Sequence, residues 1–182
     1  LRRHDGCWTF LMSHAVVDDR FQKFLIEPTS QRFSRLQTTV FKHEDYDPGS
    51  RDLDLLAALF SRREFQQVAE LADELEPVWF LSPRFHFFKG LAAEELGLDA
   101  ITCAARAASH ACLNALLDTG DGSEEAPFKI TYLADEYDIA QVLGFDSLGQ
   151  QLLETDNGKR DIMLGPDDAE LWFDVDRLLA AY

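Results

Sequence analysis

Residues that could carry chemistry are concentrated in one short stretch, Asp135-Glu136-Tyr137-Asp138. Three carboxylates beside a phenol could form a general acid–base site if two of these groups converged on one pocket. On a helix, however, adjacent residues point in different directions, and only residues three or four apart face each other. We therefore predict that these acidic residues cap a helix that ends at Gly144, and that the ring of Tyr137 is buried.

A second stretch, Gly120-Asp121-Gly122-Ser123-Glu124-Glu125, has the composition of a calcium-binding loop. An EF-hand loop needs oxygen ligands at its third and fifth positions and a glycine at its sixth. Counting from Asp118 places glycines at the third and fifth positions, and counting from Asp121 places Ala126 at the sixth. Neither register fits, so we predict a tight turn at Gly120, Asp121 and Gly122 and no calcium site.

The histidines and cysteines do not form a recognisable site. The turn before Pro48-Gly49 places one imidazole, His43, near three carboxylates, but no second group of ligands lies at metal-binding spacing. His86 and His110 have no Asp or Glu three or four residues away to orient them, and Cys112 lies on a different face from His110. The sequence also lacks a phosphate-binding glycine loop, a nucleophile elbow and a zinc-protease motif. We expect no metal, no cofactor and no catalytic residue.

The elements that position these residues change type near residue 120. Apolar residues recur at helical spacing before that point, with Pro28 and Pro77 as ends, Ser82-Pro83 as a start and Gly97 as a left-handed exit. Helices are predicted at about 18–27, 30–41, 52–60, 64–76, 83–96 and 99–117. The last of these is rich in alanine and apolar nearly all round, with Asp99 as its cap, which predicts a helix sandwiched between neighbours.

After Gly122 the apolar residues alternate as in β-strands. Strands are predicted at 128–132, 148–154, 160–164 and 170–175, with a short helix at 135–143 and a hairpin turn at Asn157-Gly158. The predicted fold is α+β: helical hairpins followed by a small antiparallel β meander packed on their end. We expect a poorly ordered extension at 1–17, with Met12 as the natural start, a helical region at 18–119 and an acidic region at 120–182, together one structural unit.

Part of the helical region resembles the tetratricopeptide repeat. Phe65 and Ala69 begin one helix, Pro77 follows it, and Gly90 and Leu96-Gly97 lie in the next, as in that helix-pair pattern. The likeness covers at most one and a half repeats, fewer than the roughly three that a self-supporting solenoid needs. We therefore expect the sheet to cover the open end of the helices.

A further resemblance covers residues 20–182. The chain is similar to a bacterial family known as domain of unknown function 4919 in six motifs that occur in the same order. These are Tyr46-Asp47-Pro48, Gly120-Asp121-Gly122-Ser123-Glu124-Glu125, Glu136-Tyr137-Asp138, Leu143-Gly144-Phe145, Gly149-Gln150 and Leu171-Trp172-Phe173-Asp174-Val175. The resemblance implies helices of the tetratricopeptide type followed by a small β region. It implies no activity, and we expect its motif residues to be structural.

Composition narrows the classes of partner. The formal net charge is −16, and residues 111–182 carry 4 basic and 16 acidic side chains, a net charge of −12. An acidic surface repels nucleic acid and anionic lipid, so we expect neither as a partner and favour a basic one. Cys7, Cys103 and Cys112 have no paired spacing, and Cys103 and Cys112 are predicted to be small core residues. With no apolar run of about 18 residues, these features predict a cytoplasmic protein.

The predicted function is a non-catalytic protein-interaction module that binds a peptide or protein through its helical groove or its acidic β surface. Candidate contacts are four aromatic residues near one helix-to-helix turn, with core packing as the alternative for each: Trp79, Phe80, Phe85 and Phe87. One competing hypothesis is a hydrolase-like enzyme whose site forms only at the junction of the two regions. Another is a structural homo-oligomer or scaffold, so both monomer and homodimer remain open.

Overall fold

The computed structural model describes residues 19–180, which form an α+β fold as predicted. Its helices are α1 (Asp19–Ile26), α2 (Ser30–Val40), α3 (Asp52–Ser61), α4 (Phe65–Trp79), α5 (Pro83–Glu95), α6 (Asp99–Leu117), α7 (Ala134–Leu143) and α8 (Asp176–Leu179). Its strands are β1 (Phe128–Lys129), β2 (Gly149–Thr155), β3 (Gly158–Leu164) and β4 (Glu170–Asp174), with a 3₁₀ turn at Pro166–Asp168. The predicted extension at 1–17 and start at Met12 lie outside the described residues.

Two helices, α2 and α5, begin with a side-chain cap. The Thr29 hydroxyl accepts the N–H of Arg32 at the start of α2, and the Ser82 hydroxyl accepts the N–H of Phe85 at the start of α5. These bonds satisfy N–H groups that have no partner inside the helix. Gly97 follows α5 with φ +70°, the left-handed conformation predicted from its position.

Two helix predictions are wrong. Helix α4 does not end before Pro77 but continues through it to Trp79, because a proline so near the C-terminal end disrupts only the last turn. Asp99 does not cap α6, whose N-cap is Leu98 without a side-chain hydrogen bond. Helix α6 does lie between neighbouring elements as predicted, and Cys103 and Arg106 mark its solvent-exposed face.

The sheet is mixed and has the strand order β1-β4-β3-β2. Strands β2, β3 and β4 form the predicted antiparallel meander, but β1 pairs with β4 in parallel. The predicted strand at 128–132 leaves the sheet after Lys129 and turns into α7. The hairpin loop consists of Asp156 and Asn157 instead of Asn157-Gly158, because Thr155 pairs directly with Gly158.

One cluster of buried side chains joins the helices to the sheet. It includes Phe24 and Phe85 from the helices and Phe173 from β4, each fully buried. The buried amide of Gln37 on α2 donates to the backbone carbonyl of Lys129 on β1, with an N–O distance of 2.8 Å. Helix α6 packs against α5 and also contacts α1, α2, α7 and β1, so it lies at the centre of the fold. Among residues 19–180, no helix combines the length and the apolar character needed to cross a membrane.

Candidate functional site: a groove beside buried carboxylates

Helix α7 directs its acidic side chains into the protein in three directions. Asp135 is fully buried, and its Oδ2 accepts the backbone N–H groups of Thr131 at 2.8 Å and Tyr132 at 3.0 Å. The carboxyl therefore holds together the turn that precedes its own helix. Burial is the main cause that raises the pKa of Asp135 to about 8, and the nearby Asp138 adds to it. This carboxyl retains its proton through neutral pH.

Glu136 points towards the sheet, where one amide connects two carboxylates. The Gln150 Nε2 donates to Glu136 Oε2 at 2.9 Å and to Asp161 Oδ2 at 2.7 Å. Glu136 is 1% exposed, and burial, followed by the charge of Asp161, raises its pKa to about 8. The Tyr137 hydroxyl donates to Gln150 Oε1 at 3.3 Å, but the Tyr137 ring is 53% exposed. The prediction that this ring is buried is wrong, because the following residue, not Tyr137, faces the helical region.

That residue, Asp138, forms an ion pair with Arg84 on α5. The Arg84 Nε and Nη2 both donate to Asp138 Oδ1, at 2.8 and 2.5 Å, and Nη2 also reaches the carbonyl of Ala134 at 3.4 Å. Burial raises the pKa of the Asp138 carboxyl, and the charge of Arg84 opposes that increase. The pair thus attaches α7 to the N-terminal half of α5. We refer to Asp135, Glu136, Asp138 and Asp161 as the carboxylate cluster.

An open groove of about 390 Å³ lies beside this ion pair, between α3, α5, α6 and α7. Its walls are mainly apolar, and its exposed large apolar side chains are Phe87 at 52% and Val142 at 53%. It is lined by Leu53, Asp54, Ala57, Pro83, Arg84, Phe87, Phe88, Ser109, Leu113, Asp138, Gln141 and Val142. We call this surface the junction groove, since three of its walls belong to the helical region and the fourth is α7.

The four predicted contact aromatics do not form one surface. Trp79 is 2% exposed, stacks on Tyr132 with ring centroids 4.5 Å apart, and donates from Nε1 to Asp52 Oδ2. Phe85 is fully buried and Phe80 is partly buried in the core, so Trp79, Phe80 and Phe85 adopt the core packing that was the alternative. Phe87 alone of the four is exposed, and it lies in the junction groove.

The glycine-rich motif forms a tight turn after α6. The N–H groups of Asp121 and Gly122 both donate to the carbonyl of Ala126, and Gly122 has φ +80°. Asp121 Oδ1 accepts the N–H of Ser123 at 3.0 Å, and the hydrogen bonds with Ser123 lower the pKa of this exposed carboxyl. Gly144 ends α7 with φ +65°, as predicted. Across the described part of the chain, no three His, Cys, Asp or Glu side chains are grouped to hold a metal ion.

His86 and Cys112 approach each other across the fold, but not as a reactive pair. His86 Nε2–H donates to the carbonyl of Phe80 at 2.7 Å, and the Cys112 thiol reaches the same oxygen at 3.8 Å. Burial lowers the pKa of His86 to about 4 and raises that of Cys112, so both are neutral instead of forming a thiolate–imidazolium pair. Cys112 is the buried core residue that was predicted. Cys103 is exposed and disulfide-bonded, so its prediction as a core thiol is wrong.

Sequence reasoning missed Arg84, Gln150, Asp161 and Val142. One of these had a detectable signal: Asp161 occupies the same face of β3 as the buried Met163, and a carboxylate at such a position needs a polar partner. The other three had none, because their roles depend on contacts between elements distant in sequence.

Comparison with known proteins does not indicate a function for this chain. No protein family, curated protein or solved structure matches this chain.

Proposed function

We propose that this chain is a non-catalytic interaction module that binds a peptide or protein segment in the junction groove. The observation that supports it best is that exposed Phe87 and exposed Val142 both line one mainly apolar groove that is open to solvent. Large apolar side chains at the mouth of a concave surface are typical of sites that receive a hydrophobic anchor from a partner. The groove lies between helices, which suits a short amphipathic helix or an extended peptide.

Charge suggests the chemistry of the partner. Asp54 and Asp138 lie in the groove with Arg84, and the chain as a whole has a formal net charge of −16. A basic segment with one bulky apolar side chain fits both features. Its association would be faster at low ionic strength and weaken as salt is added.

The hydrolase alternative has less support. Asp135 and Glu136 are 0% and 1% exposed, and each has an oxygen turned into the protein without a hydrogen-bond partner. A general acid or base must reach the substrate within hydrogen-bond distance, and these groups have no open path to one. Asp138 does line the groove, but its Oδ1 is held by Arg84 and its Oδ2 is buried.

We also propose that the helices are of the tetratricopeptide type, that the chain is related to the domain of unknown function 4919, and that it is cytoplasmic. Consecutive helices α3, α4, α5 and α6 contact one another, as helix pairs of the tetratricopeptide type do. This arrangement and the motif order support the resemblance to the domain of unknown function 4919. A cytoplasmic location rests on the acidic composition alone.

Selection from a displayed library of random peptides tests the binding proposal. Peptides enriched on the wild-type chain should contain an aromatic or aliphatic anchor near basic residues. Their affinity should fall at least tenfold on Phe87→Ala, since a buried aromatic anchor contact contributes more than about 1.4 kcal/mol.

The matched control is Ile26→Ala, which removes a 69% exposed side chain at the end of α1, outside the groove. Selected peptides should bind this variant and the wild type equally. Enrichment of no peptide, or of peptides that bind Phe87→Ala as tightly as the wild type, would contradict the proposal.

A further inference from the structure

The sheet has one long unpaired edge. Within residues 19–180, strand β2 pairs with β3 on one side only and has no neighbouring strand on the other. Every residue of β2 except Thr155 is exposed. The opposite edge is β1, which is only two residues long, so β2 alone offers a strand-length row of backbone hydrogen-bonding groups.

This edge lacks the features by which proteins usually prevent strand pairing. Edge strands are commonly protected by lysine, proline, a bulge or an inward-pointing charge. The sequence of β2, GQQLLET, contains no lysine, arginine or proline, and its register with β3 is unbroken from Gly149 to Thr155. Glu154 is its single charged residue.

Leucines on both faces of β2 are also uncovered. Leu152 is 57% exposed and Leu153 is 39% exposed, and adjacent residues of a strand point to opposite faces. Leu148, which precedes the strand, is 74% exposed. The edge therefore combines unpaired backbone groups with apolar side chains that a further strand would help to cover.

We propose that β2 pairs antiparallel with β2 of a second copy of this chain. The twofold axis relating the two copies passes between their Leu152 residues. Leu152 is the middle residue of the strand, so each Leu152 then lies opposite its counterpart. In the same register Gln150 lies opposite Glu154 of the second copy, on both sides of the axis. The Gln150 amide stays bound to Glu136 and Asp161 of its own copy, a leucine pair lies at the axis, and Glu154 never faces another Glu154.

Self-complementarity and closure favour a second copy over a foreign strand. In this register β2 complements itself, because leucine lies against leucine and the two Glu154 carboxylates are kept apart. Pairing also consumes the long edge of each copy and leaves only the two-residue β1 strands, so assembly stops at a closed dimer. The net charge of −16 on each copy opposes association, so the dimer should tighten as salt screens this repulsion. Binding of a basic partner in the junction groove has the opposite salt dependence.

Sedimentation equilibrium of the full chain over a range of protein and salt concentrations tests this dimer. The wild type should associate reversibly to a dimer, with a dissociation constant that falls as salt rises. Leu152→Glu places two carboxylates at the axis and removes the leucine pair, and should raise the dissociation constant about a hundredfold. Leu98→Glu is the control, because Leu98 is 42% exposed at the start of α6 and lies outside β2, and it should dimerise like the wild type.

Crosslinking tests the register independently of stability. Mild oxidation should join two Leu152→Cys chains in a disulfide, because directly opposite residues of paired strands have Cβ atoms about 5 Å apart. Leu98→Cys should give no such crosslink. Circular dichroism confirms that each variant is folded. The dimer proposal is overturned if the wild type stays monomeric up to its solubility limit. It is also overturned if Leu152→Glu still dimerises and Leu152→Cys does not crosslink. Neither result affects the proposal for the junction groove.

Discussion

Among single residues in the described part of the chain, the four acidic side chains of the carboxylate cluster are the ones whose burial opposes ionisation most clearly. Its buried side-chain oxygens without a hydrogen-bond partner are Asp135 Oδ1, Glu136 Oε1, Asp138 Oδ2 and Asp161 Oδ1. In each residue the other oxygen is hydrogen-bonded, so every carboxyl is held in place by one atom and desolvated at the other. Removing charge from water without full compensation favours the protonated form, which explains why the pKa values of all four are raised.

Glu136 should make stability depend on pH in a defined direction. Its pKa is about 8 in the folded protein against 4.5 for the ordinary value, so the folded state binds the proton more tightly. The stabilisation that the protonated Glu136 carboxyl gives the folded state is fully present below about pH 4.5. It is lost as the pH rises to about 8. Glu136→Gln cannot ionise, so at pH 9 it should be more stable than the wild type by up to roughly 5 kcal/mol. Urea unfolding monitored by circular dichroism at pH 5, 7 and 9 measures this difference.

Glu124→Gln is the matched control, because the side chain of Glu124 is exposed in the turn after α6. Its stability relative to the wild type should be the same at all three pH values. A Glu136→Gln variant that also keeps a constant difference across the series would show that this carboxyl ionises without cost.

At the scale of elements, the sequence predicts a feature well when the chemistry lies within one turn of the chain. The cap at Ser82 and the exits at Gly97 and Gly144 need only neighbouring residues, and all three are confirmed. The parallel pairing of β1 with β4 was missed because it joins residues 128 and 173, which no local pattern relates. Pro77 was misread because whether a helix ends depends on how its last turn packs.

Replacing Gly120 or Gly97 by alanine should destabilise the fold for different reasons, one steric and one conformational. A Cβ at Gly120 would lie 2.5 Å from the carbonyl oxygen of Pro127 and closer still to that of Ala126, so the turn after α6 would have to move. A Cβ at Gly97 would meet nothing within 4 Å, but its φ of +70° disfavours any side chain. Gly120→Ala should therefore cost about 3 kcal/mol and Gly97→Ala about 1 kcal/mol. Urea unfolding at one pH compares the two, and equal losses would contradict the close approach at Gly120.

At the scale of the whole molecule, long-range hydrogen bonds tie the helices to the segment that follows β1. The Tyr46 hydroxyl donates to the carbonyl of Thr131, and the Tyr132 hydroxyl donates to the carbonyl of Val78 at the end of α4. Together with the Gln37 bond to Lys129, these contacts fix residues 129–132 against three different helices or turns. The two regions thus share one interior instead of two.

This shared interior should make unfolding cooperative. Amide hydrogen exchange at Ala108 in α6 and at Met163 in β3 should give the same free energy of opening, equal to that of global unfolding. Gln37→Ala, which removes the bond to Lys129, should lower both values by about 1–2 kcal/mol. Much weaker protection at Met163 than at Ala108 would mean that the sheet opens by itself.

The candidate site was less predictable than the fold for the same physical reason. The sequence placed Glu136 and Asp138 on a helix with diverging directions, which is what the structure has. Their partners, Gln150 and Arg84, lie 14 and 54 residues away, and nothing in local spacing relates them. Aromatic content near the α4–α5 turn suggested a contact surface, but burial of Trp79 and Phe85 is decided by packing that a single sequence does not encode locally.

The stacking of Trp79 on Tyr132 gives the protein a built-in optical probe. The indole belongs to α4 and the phenol to the segment before α7, with ring planes 25° apart. Substituting Phe for Trp8 and Trp172 would leave this indole as the sole tryptophan fluorophore. Its emission then reports directly whether the segment before α7 remains seated on α4, without any added label.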